Sequence, residues 1–197
     1  MDGSAGGWER APHFKQKRDM VMKETLILEE KAMQRAVARI AYEIIEHNKG
    51  AENLCLIGIL SRGEELARQI AGRIAGVEGH PVETGSLDIT SFRDDRRTDG
   101  HADRSQIDFP IEGKRVVLVD DVIYTGRSVR AAIDALMRRG RPLMIELAVL
   151  VDRGHRELPI RADFVGKNLP TSRDETVRVS VMPWDSENKV VIIKQER

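Results

Sequence analysis

The chain has 197 residues, which is enough for one domain with a substantial core and too few for two full domains to be expected. Its 32 lysine and arginine residues balance 32 aspartate and glutamate residues, which excludes a uniformly basic nucleic-acid binder and a uniformly acidic chain. Aromatic residues make up only 4% of the sequence, so a nucleic-acid surface built from rows of stacking rings is not expected.

Cysteine content and hydropathy indicate the compartment. The one cysteine, Cys55, cannot form an internal disulfide, and no Cys/His cluster has the spacing of zinc ligands. No apolar run approaches the roughly 18 residues that span a bilayer. The N-terminus has no apolar segment typical of a secretory signal. These features predict a cytoplasmic protein without a membrane partner.

Helical and strand patterns alternate after an irregular N-terminus. Residues 1–22 mix glycine, proline and charge without periodicity and are predicted to be a flexible leader, with 23–197 as a single domain. A helix is predicted over 28–47, because its apolar residues recur at the spacing of one helical face. The continuous apolar run 54–60 predicts a strand covered on both faces. The next predicted elements are a helix over 64–74 and a strand over 87–92.

The second half continues the alternation after a long charged loop. Half of the residues between 93 and 110 are charged, and loops of this length inside compact domains are usually functional or disordered. Strands alternating with helices predict an α/β fold with a mostly parallel sheet, with an additional β-rich section near the C-terminus. The remaining predicted elements are a strand over 116–119, a helix over 128–139, a strand over 143–151, and short strands over 162–165, 177–181 and 190–193.

The segment from Val116 to Ser128 combines an apolar strand, two adjacent acids and a Thr-Gly turn that opens a helix. The strand delivers Asp120 and Asp121 to the C-terminal edge of the sheet, where ligands of open α/β sheets bind. The unpaired N–H groups of the helix N-terminus, with the hydroxyls of Thr125 and Ser128, can hold a phosphate dianion. The carboxylates would repel that phosphate but bind a cis-diol, so the spacing predicts a ribose-5-phosphate site.

The sequence argues against two other nucleotide-binding motifs and against a purely structural role for the acid pair, but it leaves the roles of two loops open. Neither a Gly-x4-Gly-Lys-Ser/Thr loop nor a Gly-x-Gly-x-x-Gly turn follows a strand. An ordinary strand–turn–helix is disfavoured, because two unpaired buried carboxylates would be costly without a ligand. The turn 61–63 is either a binding loop for pyrophosphate or a capped turn with a solvated arginine. The loop 93–110 is either a lid that excludes water or a solvated loop.

The segment from Val116 to Ser128 resembles the PRPP-binding motif of type I phosphoribosyltransferases. Members that act on 6-oxopurines resemble one another in having an aspartate before the Thr-Gly pair, where this chain has Tyr124. A tyrosine is a poor proton donor or acceptor at pH 7, which argues against a purine substrate. Together with residues 87–95 and 147–172, the motif is similar to the family of bifunctional pyrimidine operon regulatory proteins and uracil phosphoribosyltransferases, from about Thr25 to the end.

This resemblance implies a type I phosphoribosyltransferase fold with a small β-rich hood, and a Mg²⁺-dependent reaction of PRPP with uracil that yields UMP and pyrophosphate. It assigns catalysis to Arg62, Asp120 and Asp121. No protein ligand of the metal is assigned, because Mg²⁺ would be carried by PRPP and pyrophosphate. The turn 61–63 corresponds to the pyrophosphate loop, which often contains a non-proline cis peptide. The implied PRPP and nucleotide site comprises Ser61, Arg62, Gly63, Arg93, Asp120, Asp121, Val122, Ile123, Tyr124, Thr125, Gly126, Arg127 and Ser128.

The family's second function is to bind the leader mRNA of the pyrimidine operon and promote transcription attenuation when UMP or UTP is bound. From the residues alone, a solvated, salt-bridged face is the alternative. Tyr42 stands where many relatives have a histidine and cannot become cationic. Replacing Arg156 with alanine is expected to weaken RNA binding and to spare catalysis. The resemblance places RNA on a basic concave surface of a homodimer or higher homo-oligomer, formed by Arg39, His155, Arg156, Arg161 and Lys167.

Two alternative functions remain open. One is an RNA-binding regulator with weak or vestigial catalysis, and the other is a phosphoribosyltransferase for another base, such as a purine. The uracil ring is expected to contact the segment 151–168. No residue is predicted to act as a general base, because the N1 proton of uracil can pass to solvent or pyrophosphate.

Overall fold

The structure is a computed structural model that describes residues 21–94 and 100–196. The predicted leader therefore lies outside the described residues except for its last two positions. The strands are β1 (Val21–Leu28), β2 (Leu54–Ile59), β3 (Glu83–Leu87), β4 (Arg115–Ile123), β5 (Met144–Asp152), β6 (Phe164–Asn168), β7 (Glu175–Ser180) and β8 (Lys189–Glu196). The helices are α1 (Glu30–Asn48), α2 (Arg62–Glu78) and α3 (Arg127–Met137), with a 3₁₀ turn at Thr90–Phe92.

A parallel sheet of five strands forms the centre of the fold, in the order β3-β2-β4-β5-β6. Alternate residues of its strands point to opposite faces and enter two separate cores. Leu56 and Val117 pack with residues of α1 and α2, whereas Ile57 and Leu118 pack with residues of α3. All six residues of β2 are buried, as expected of a strand covered on both faces. The predicted α/β fold with helices on both sides of a parallel sheet is confirmed.

A second sheet of three antiparallel strands, in the order β1-β8-β7, forms the hood. The predicted β-rich section near the C-terminus is confirmed, whereas strand β1 was not predicted. Its residues from Met22 to Leu26 are exposed, so no apolar alternation marks it in the sequence. This segment becomes a strand because it pairs with β8, near the other end of the chain, where Thr25 lies opposite Ile192.

Two strands end at residues other than those predicted, and both differences affect the site. The predicted strand over 87–92 is wrong, because β3 ends at Leu87 and Thr90–Phe92 forms a 3₁₀ turn. The Asp88 side chain accepts hydrogen bonds from the N–H and hydroxyl of Thr90, a local turn that competes with the strand. In contrast, β4 extends beyond its predicted end, so Asp120 and Asp121 lie within a strand paired to β5.

None of the helices in the described residues is long and apolar enough to cross a membrane. The cytoplasmic location stays a prediction.

Candidate active site

Two adjacent carboxylates lie near the end of β4, the central strand of the parallel sheet. Asp120 is only 8% exposed, and its Oδ1 accepts a hydrogen bond from the N–H of Asp121 at 2.9 Å. The Oδ1 of Asp121 accepts in the same way from the N–H of Val122 at 2.8 Å. Neither carboxylate forms an ion pair with any of the described residues. This strand end therefore presents two acceptors that form no direct ion pair with the described residues, although the charges of Arg62 and Arg93 act on them.

Burial raises the pKa of both carboxyl groups. Desolvation raises the pKa of Asp120 well above its ordinary value, and the neighbouring charge of Asp121 adds to the increase. Desolvation also raises the pKa of Asp121, although the N–H of Val122 and the charge of Arg62 offset part of it. A ligand that brings hydroxyl donors or a cation would stabilise the ionised forms, so the pair suits a diol or a metal-bearing phosphate ester.

In the turn between β4 and α3, the carbonyl groups of Ile123 and Thr125 both face the segment 153–158. The carbonyl of Ile123 accepts a hydrogen bond from the N–H of Arg153 at 3.2 Å. That of Thr125 accepts from the N–H groups of Glu157 and Leu158 at 3.0 and 3.1 Å. The C=O and N–H of a trans peptide point in opposite directions, so the N–H groups that share these peptides face away from the segment 153–158.

The start of α3 adds further donors to this turn. Gly126 precedes the helix with a φ of +92°, a left-handed conformation that favours glycine. The N–H of Arg130 donates to the carbonyl of Gly126 at 2.9 Å and closes the first helical turn. The N–H groups of Ser128 and Val129 precede that bond and have no helical acceptor. These donors and the positive end of the helix dipole favour a bound dianion.

A cavity of about 370 Å³ opens on this turn, within the size range of small-molecule sites. Arg93 lies on its wall, and its Nη1 donates a hydrogen bond to the Ser128 hydroxyl at 3.2 Å. Glu157, which was not predicted as a site residue, also lies on the wall and pairs with Arg127 at 2.8 Å. Of the predicted PRPP and nucleotide site, the cavity brings together Arg93, Asp120, Val122, Ile123, Tyr124, Thr125, Gly126, Arg127 and Ser128.

The turn 61–63 reaches the acid pair through a close backbone approach. A Cβ on Gly63 would lie 2.4 Å from the carbonyl oxygen of Val119, and one on Gly58 would lie 2.2 Å from the carbonyl oxygen of Gly63. Both neighbours are backbone atoms, so only glycine permits the first turn of α2 to lie against β2 and β4. The Leu60–Ser61 peptide is cis. The structure thus places Gly63 against Val119 and Asp120, and the charge of Arg62 acts on Asp121. Ser61, Arg62 and Gly63 are not among the residues that line the cavity.

The guanidinium of Arg62 forms a bidentate ion pair with Asp185, in the loop between β7 and β8. Its Nε and Nη2 lie 2.8 Å from the two carboxylate oxygens. These hydrogen bonds are the first cause of a raised pKa of Arg62 and a lowered pKa of Asp185. No sequence signal indicated Asp185, because its partner lies in a distant part of the chain. The pair connects the predicted pyrophosphate loop to the hood.

Asp88 holds the second described part of the charged loop against the 3₁₀ turn that precedes the loop. Its buried carboxylate accepts hydrogen bonds from the N–H of Thr90 at 3.0 Å and from the Nε of Arg104 at 3.0 Å, and His101 Nε2 lies 2.8 Å away. Its own N–H donates to the Ser105 hydroxyl at 2.8 Å. Desolvation raises the pKa of Asp88, but the hydrogen bonds outweigh it and the net shift is downward. Residues 95–99 lie outside the described residues, and the lid stays a prediction.

The predicted RNA-binding residues fall into two groups. Arg161 and Lys167 are exposed, and neither pairs with an acid among the described residues. Arg39 is half exposed but donates to the carbonyls of two residues of β6. The side chains of His155 and Arg156 are partly buried, and both contact backbone carbonyls of the same subunit. Only the first group is free to contact an external phosphate without losing an internal bond.

The carboxylates of Asp120 and Asp121 could bind a divalent cation that enters the site together with the phosphates of the substrate. Within the described ranges, no three His, Cys, Asp or Glu side chains are grouped to hold a metal ion. Asp120 and Asp121 nevertheless offer carboxylate oxygens, the ligand type that Mg²⁺ prefers. Mg²⁺ commonly binds through one or two carboxylates together with substrate phosphates. The predicted Mg²⁺ is compatible with this donor set and stays a prediction.

Comparisons with known proteins identify relatives over most of the chain. The phosphoribosyl transferase domain family matches residues 25–187. The bifunctional protein PyrR of Acetivibrio thermocellus is 59% identical over 174 residues, which cover 87% of this chain and 95% of that protein. The bifunctional protein PyrR of Pelotomaculum thermopropionicum is 54% identical over 178 residues, which cover 89% and 98% respectively.

Solved structures of similar fold include two purine enzymes. A hypoxanthine-guanine phosphoribosyltransferase from Bacillus anthracis superposes with a TM-score of 0.67 at 21% identity, over 85% of this chain and 96% of that one. The hypoxanthine phosphoribosyltransferase of Trypanosoma cruzi superposes with a TM-score of 0.66 at 19% identity, over 87% and 97%. At these identities the likeness shows the fold alone.

Proposed function

The chain belongs to the family of bifunctional PyrR proteins, and from this premise we propose that it transfers the phosphoribosyl group of PRPP to uracil, yielding UMP and pyrophosphate. The observation that carries the proposal is the buried acid pair without an ion-pair partner among the described residues, directly followed by a turn. In this turn only the N–H of Arg127 has an acceptor among those residues, the Thr125 hydroxyl at 3.4 Å. The two carboxylates can accept hydrogen bonds from the ribose diol, and the N–H groups of the turn can donate to the 5-phosphate of the same ribose phosphate.

Each part of PRPP has a matching group in the site. The 5-phosphate binds the turn 124–128 and the start of α3, where the donors and the helix dipole favour a dianion. The ribose hydroxyls donate to Asp120 and Asp121, which makes the ionised carboxylates favourable. The pyrophosphate lies towards Arg62, whose guanidinium supplies positive charge.

The reaction forms the bond from uracil N1 to C1′ of the ribose and breaks the bond from C1′ to the pyrophosphate oxygen. The electron pair of the broken bond leaves with pyrophosphate, and the N1 proton passes to solvent or to pyrophosphate. Arg62 stabilises the charge on the leaving group, and the acid pair orients the ribose. The acid pair and the phosphates of PRPP would hold Mg²⁺, which would supply further neutralisation of that charge.

Tyr124 supports a pyrimidine substrate. The guanidinium of Arg153 lies 4.0 Å from the centre of the Tyr124 ring, and the ring of His155 packs edge-on at 5.9 Å. Arg153 is itself held by the carbonyl of Glu175 at 2.7 Å. The ring is therefore fixed in place, and this position offers no carboxylate to handle the N7 proton of a purine.

A steady-state assay with PRPP, Mg²⁺ and one base at a time tests the function. We expect UMP formation with uracil, and rates at least about 100-fold lower with hypoxanthine, guanine and orotate, since a site built for one hydrogen-bonding pattern rejects others strongly. Faster turnover of a purine would contradict the assignment of the base. Binding of UMP without turnover of any base would favour the regulator with vestigial catalysis.

We propose RNA binding as the second function, supported by the exposed cations Arg161 and Lys167. Uridine-nucleotide-dependent binding of pyrimidine operon leader mRNA would use them as phosphate contacts. Arg39 would join them only by giving up its bonds to the carbonyls of β6. Replacing either Arg161 or Lys167 with alanine is expected to weaken RNA binding and to reduce the salt slope by about 0.7, the value for one single-strand phosphate. Arg73, exposed on α2, serves as a control. RNA binding that ignores both salt and these substitutions would contradict the proposal.

PRPP, uracil, UMP and UTP are the small-molecule partners under this proposal. A homodimer or higher homo-oligomer belongs to it as well, because most soluble assemblies are symmetric homo-oligomers.

A further inference from the structure

Asp88 directly follows β3 and holds the start of the 3₁₀ turn Thr90–Phe92. Its side chain is only 3% exposed, and its Oδ1 accepts hydrogen bonds from the N–H of Thr90 at 3.0 Å and from the Thr90 hydroxyl at 2.5 Å. The first hydrogen bond of the turn runs from the N–H of Phe92 to the carbonyl of Ile89. The N–H of Thr90 precedes that bond and has no acceptor within the turn, so the Asp88 carboxylate caps it.

Arg93 is the first residue after this turn, and its side chain reaches the phosphate-binding site. The N–H of Arg93 donates to the carbonyl of Thr90 at 3.4 Å, which joins Arg93 to the turn. Its Nη1 donates to the Ser128 hydroxyl at 3.2 Å, at the start of α3, and Arg93 lies on the cavity wall. Burial is the main cause of the raised pKa of Asp120, and the charge of Arg93 acts in the opposite direction. Arg93 therefore acts on both the phosphate-binding turn and the acid pair.

The turn that carries Arg93 is fixed on two sides. The ring of Phe92 packs against the core between the sheet and α3, and the guanidinium of Arg138 lies 5.0 Å from the centre of that ring. Asp88 fixes the other side through hydrogen bonds. Asp88 is not among the residues that line the cavity. It can therefore affect a ligand there only through the residues that it holds.

The second carboxylate oxygen of Asp88 has different partners. Oδ2 accepts a hydrogen bond from the Nε of Arg104 at 3.0 Å and lies 2.8 Å from the Nε2 of His101. Neither partner lines the cavity. The two oxygens thus hold separate parts of the chain, and only the bonds of Oδ1 lead to Arg93. Substitutions that remove one set of bonds and keep the other can distinguish the two roles.

We propose that Asp88 is a positioning residue for phosphate binding, because its Oδ1 fixes the 3₁₀ turn that directs Arg93 to the start of α3. This inference rests on the proposed function, which gives the turn 124–128 the 5-phosphate of PRPP and UMP as its ligand. Ordering a long arginine side chain costs conformational entropy, and a turn that is fixed in advance lowers this cost. Asp88 thereby contributes to the affinity for the ligand without contacting it.

The test compares Asp88→Ala and Asp88→Asn with Arg93→Ala and with the double variant Asp88→Ala/Arg93→Ala, all in the full-length chain. Asparagine keeps an oxygen that can accept from Thr90 but replaces the oxygen that accepts from Arg104. Arg104→Ala is a matched control, because it removes a partner of Oδ2 and leaves the bonds of Oδ1 in place. The measurements are the Kd of UMP by calorimetry, the KM for PRPP and kcat at saturating uracil, with thermal melting to show which variants fold.

For Asp88→Ala we expect the Kd of UMP and the KM for PRPP to rise about 10-fold, the effect of weakening one charge-assisted hydrogen bond to a ligand. The value of kcat should change by less than about threefold, because phosphate binding is common to the ground state and the transition state. Arg93→Ala should show a rise at least as large. The double variant should match Arg93→Ala, because Asp88 acts through a side chain that is already absent.

Asp88→Asn and Arg104→Ala should bind UMP within about threefold of the unsubstituted protein, even where they melt at a lower temperature. A purely structural role of the buried carboxylate predicts instead that Asp88→Asn loses as much affinity as Asp88→Ala. Where Asp88→Ala does not fold, Thr90→Val decides, because it removes the hydroxyl bond to Oδ1 and keeps the carboxylate. For this variant we expect the Kd of UMP to rise about fivefold, as for the loss of one hydrogen bond.

A folded Asp88→Ala or Thr90→Val variant with an unchanged Kd of UMP and an unchanged KM for PRPP would overturn the inference. Additive losses in the double variant would overturn it as well, since they show that Asp88 acts by a route other than Arg93. In both cases the unsubstituted protein still forms UMP, and the proposed function stands. If the unsubstituted protein itself neither forms nor binds UMP, the proposed function fails, and the inference fails with it.

Discussion

Replacing Asp120 with asparagine is expected to cause a large loss of UMP synthesis and at the same time to stabilise the folded protein. Asparagine has the same shape, and its Oδ1 can still accept the N–H of Asp121, so the backbone of β4 need not move. The amide removes a buried charge that lacks an ion-pair partner among the described residues. It also removes the charged acceptor for a ribose hydroxyl, which should lower kcat/KM by about 100-fold or more.

The stability gain depends on pH in a defined direction. Because the folded-state pKa of Asp120 is raised, ionisation destabilises the native state above the unfolded pKa of about 3.9. Asp120→Asn should therefore match the unsubstituted protein near pH 4 and exceed it at neutral pH. We expect an advantage of about 0.5–2 kcal/mol, in the range of common stabilising substitutions.

Thermal melting between pH 4 and 8, with UMP synthesis measured at pH 7, checks both halves of this prediction. Asp134→Asn is a matched control, because Asp134 forms only an exposed ion pair with Arg130 on α3. Near-normal activity of Asp120→Asn would show that the acid pair does not hold the ribose. A loss of stability at neutral pH would show that the carboxylate is favourably paired in the native state.

Replacing Arg62 with alanine should lower kcat/KM by about 100- to 1000-fold, the usual effect of removing a donor that stabilises developing charge. The Arg62 side chain is 37% exposed, so the ion pair with Asp185 is screened and contributes about 1 kcal/mol or less to folding. A loss of activity this large therefore cannot come from unfolding. Arg62→Lys keeps the charge without the bidentate geometry and should retain part of the activity.

Steady-state kinetics with varied PRPP, supported by thermal melting, measures this effect. Arg68→Ala is the control on the same helix, because Arg68 is exposed and pairs only with Glu64 and Glu65. Asp185→Asn tests the orienting role of the pair, and we expect a smaller loss than for Arg62→Ala. If Arg62→Ala keeps near-normal activity, the turn 61–63 is a capped turn and not a pyrophosphate loop.

Short-range patterns predicted much of the fold and the centre of the site. The apolar run of β2 and the helical periodicity of α1 predicted those elements to within two residues at each end. The predicted ribose-phosphate residues are contiguous, from Asp120 to Ser128, and all of them except Asp121 line the cavity. A strand and the following turn therefore bring them together without help from the rest of the chain. In contrast, β1 could not be predicted, because its hydrogen bonds depend on β8 at the other end of the chain.

The amino-acid sequence by itself determined the class of fold, the strand that carries two acids, and the turn that presents donors to a phosphate. All three follow from hydrophobic periodicity and turn chemistry, which act over a few residues. Only the tertiary structure decided the partner of each charge. Arg62 meets Asp185 across the hood, and Arg156 turns inward to Asp152 and the Tyr124 carbonyl. Sequence spacing cannot distinguish these partners, because the choice depends on which acceptors lie within 3 Å once the strands have paired.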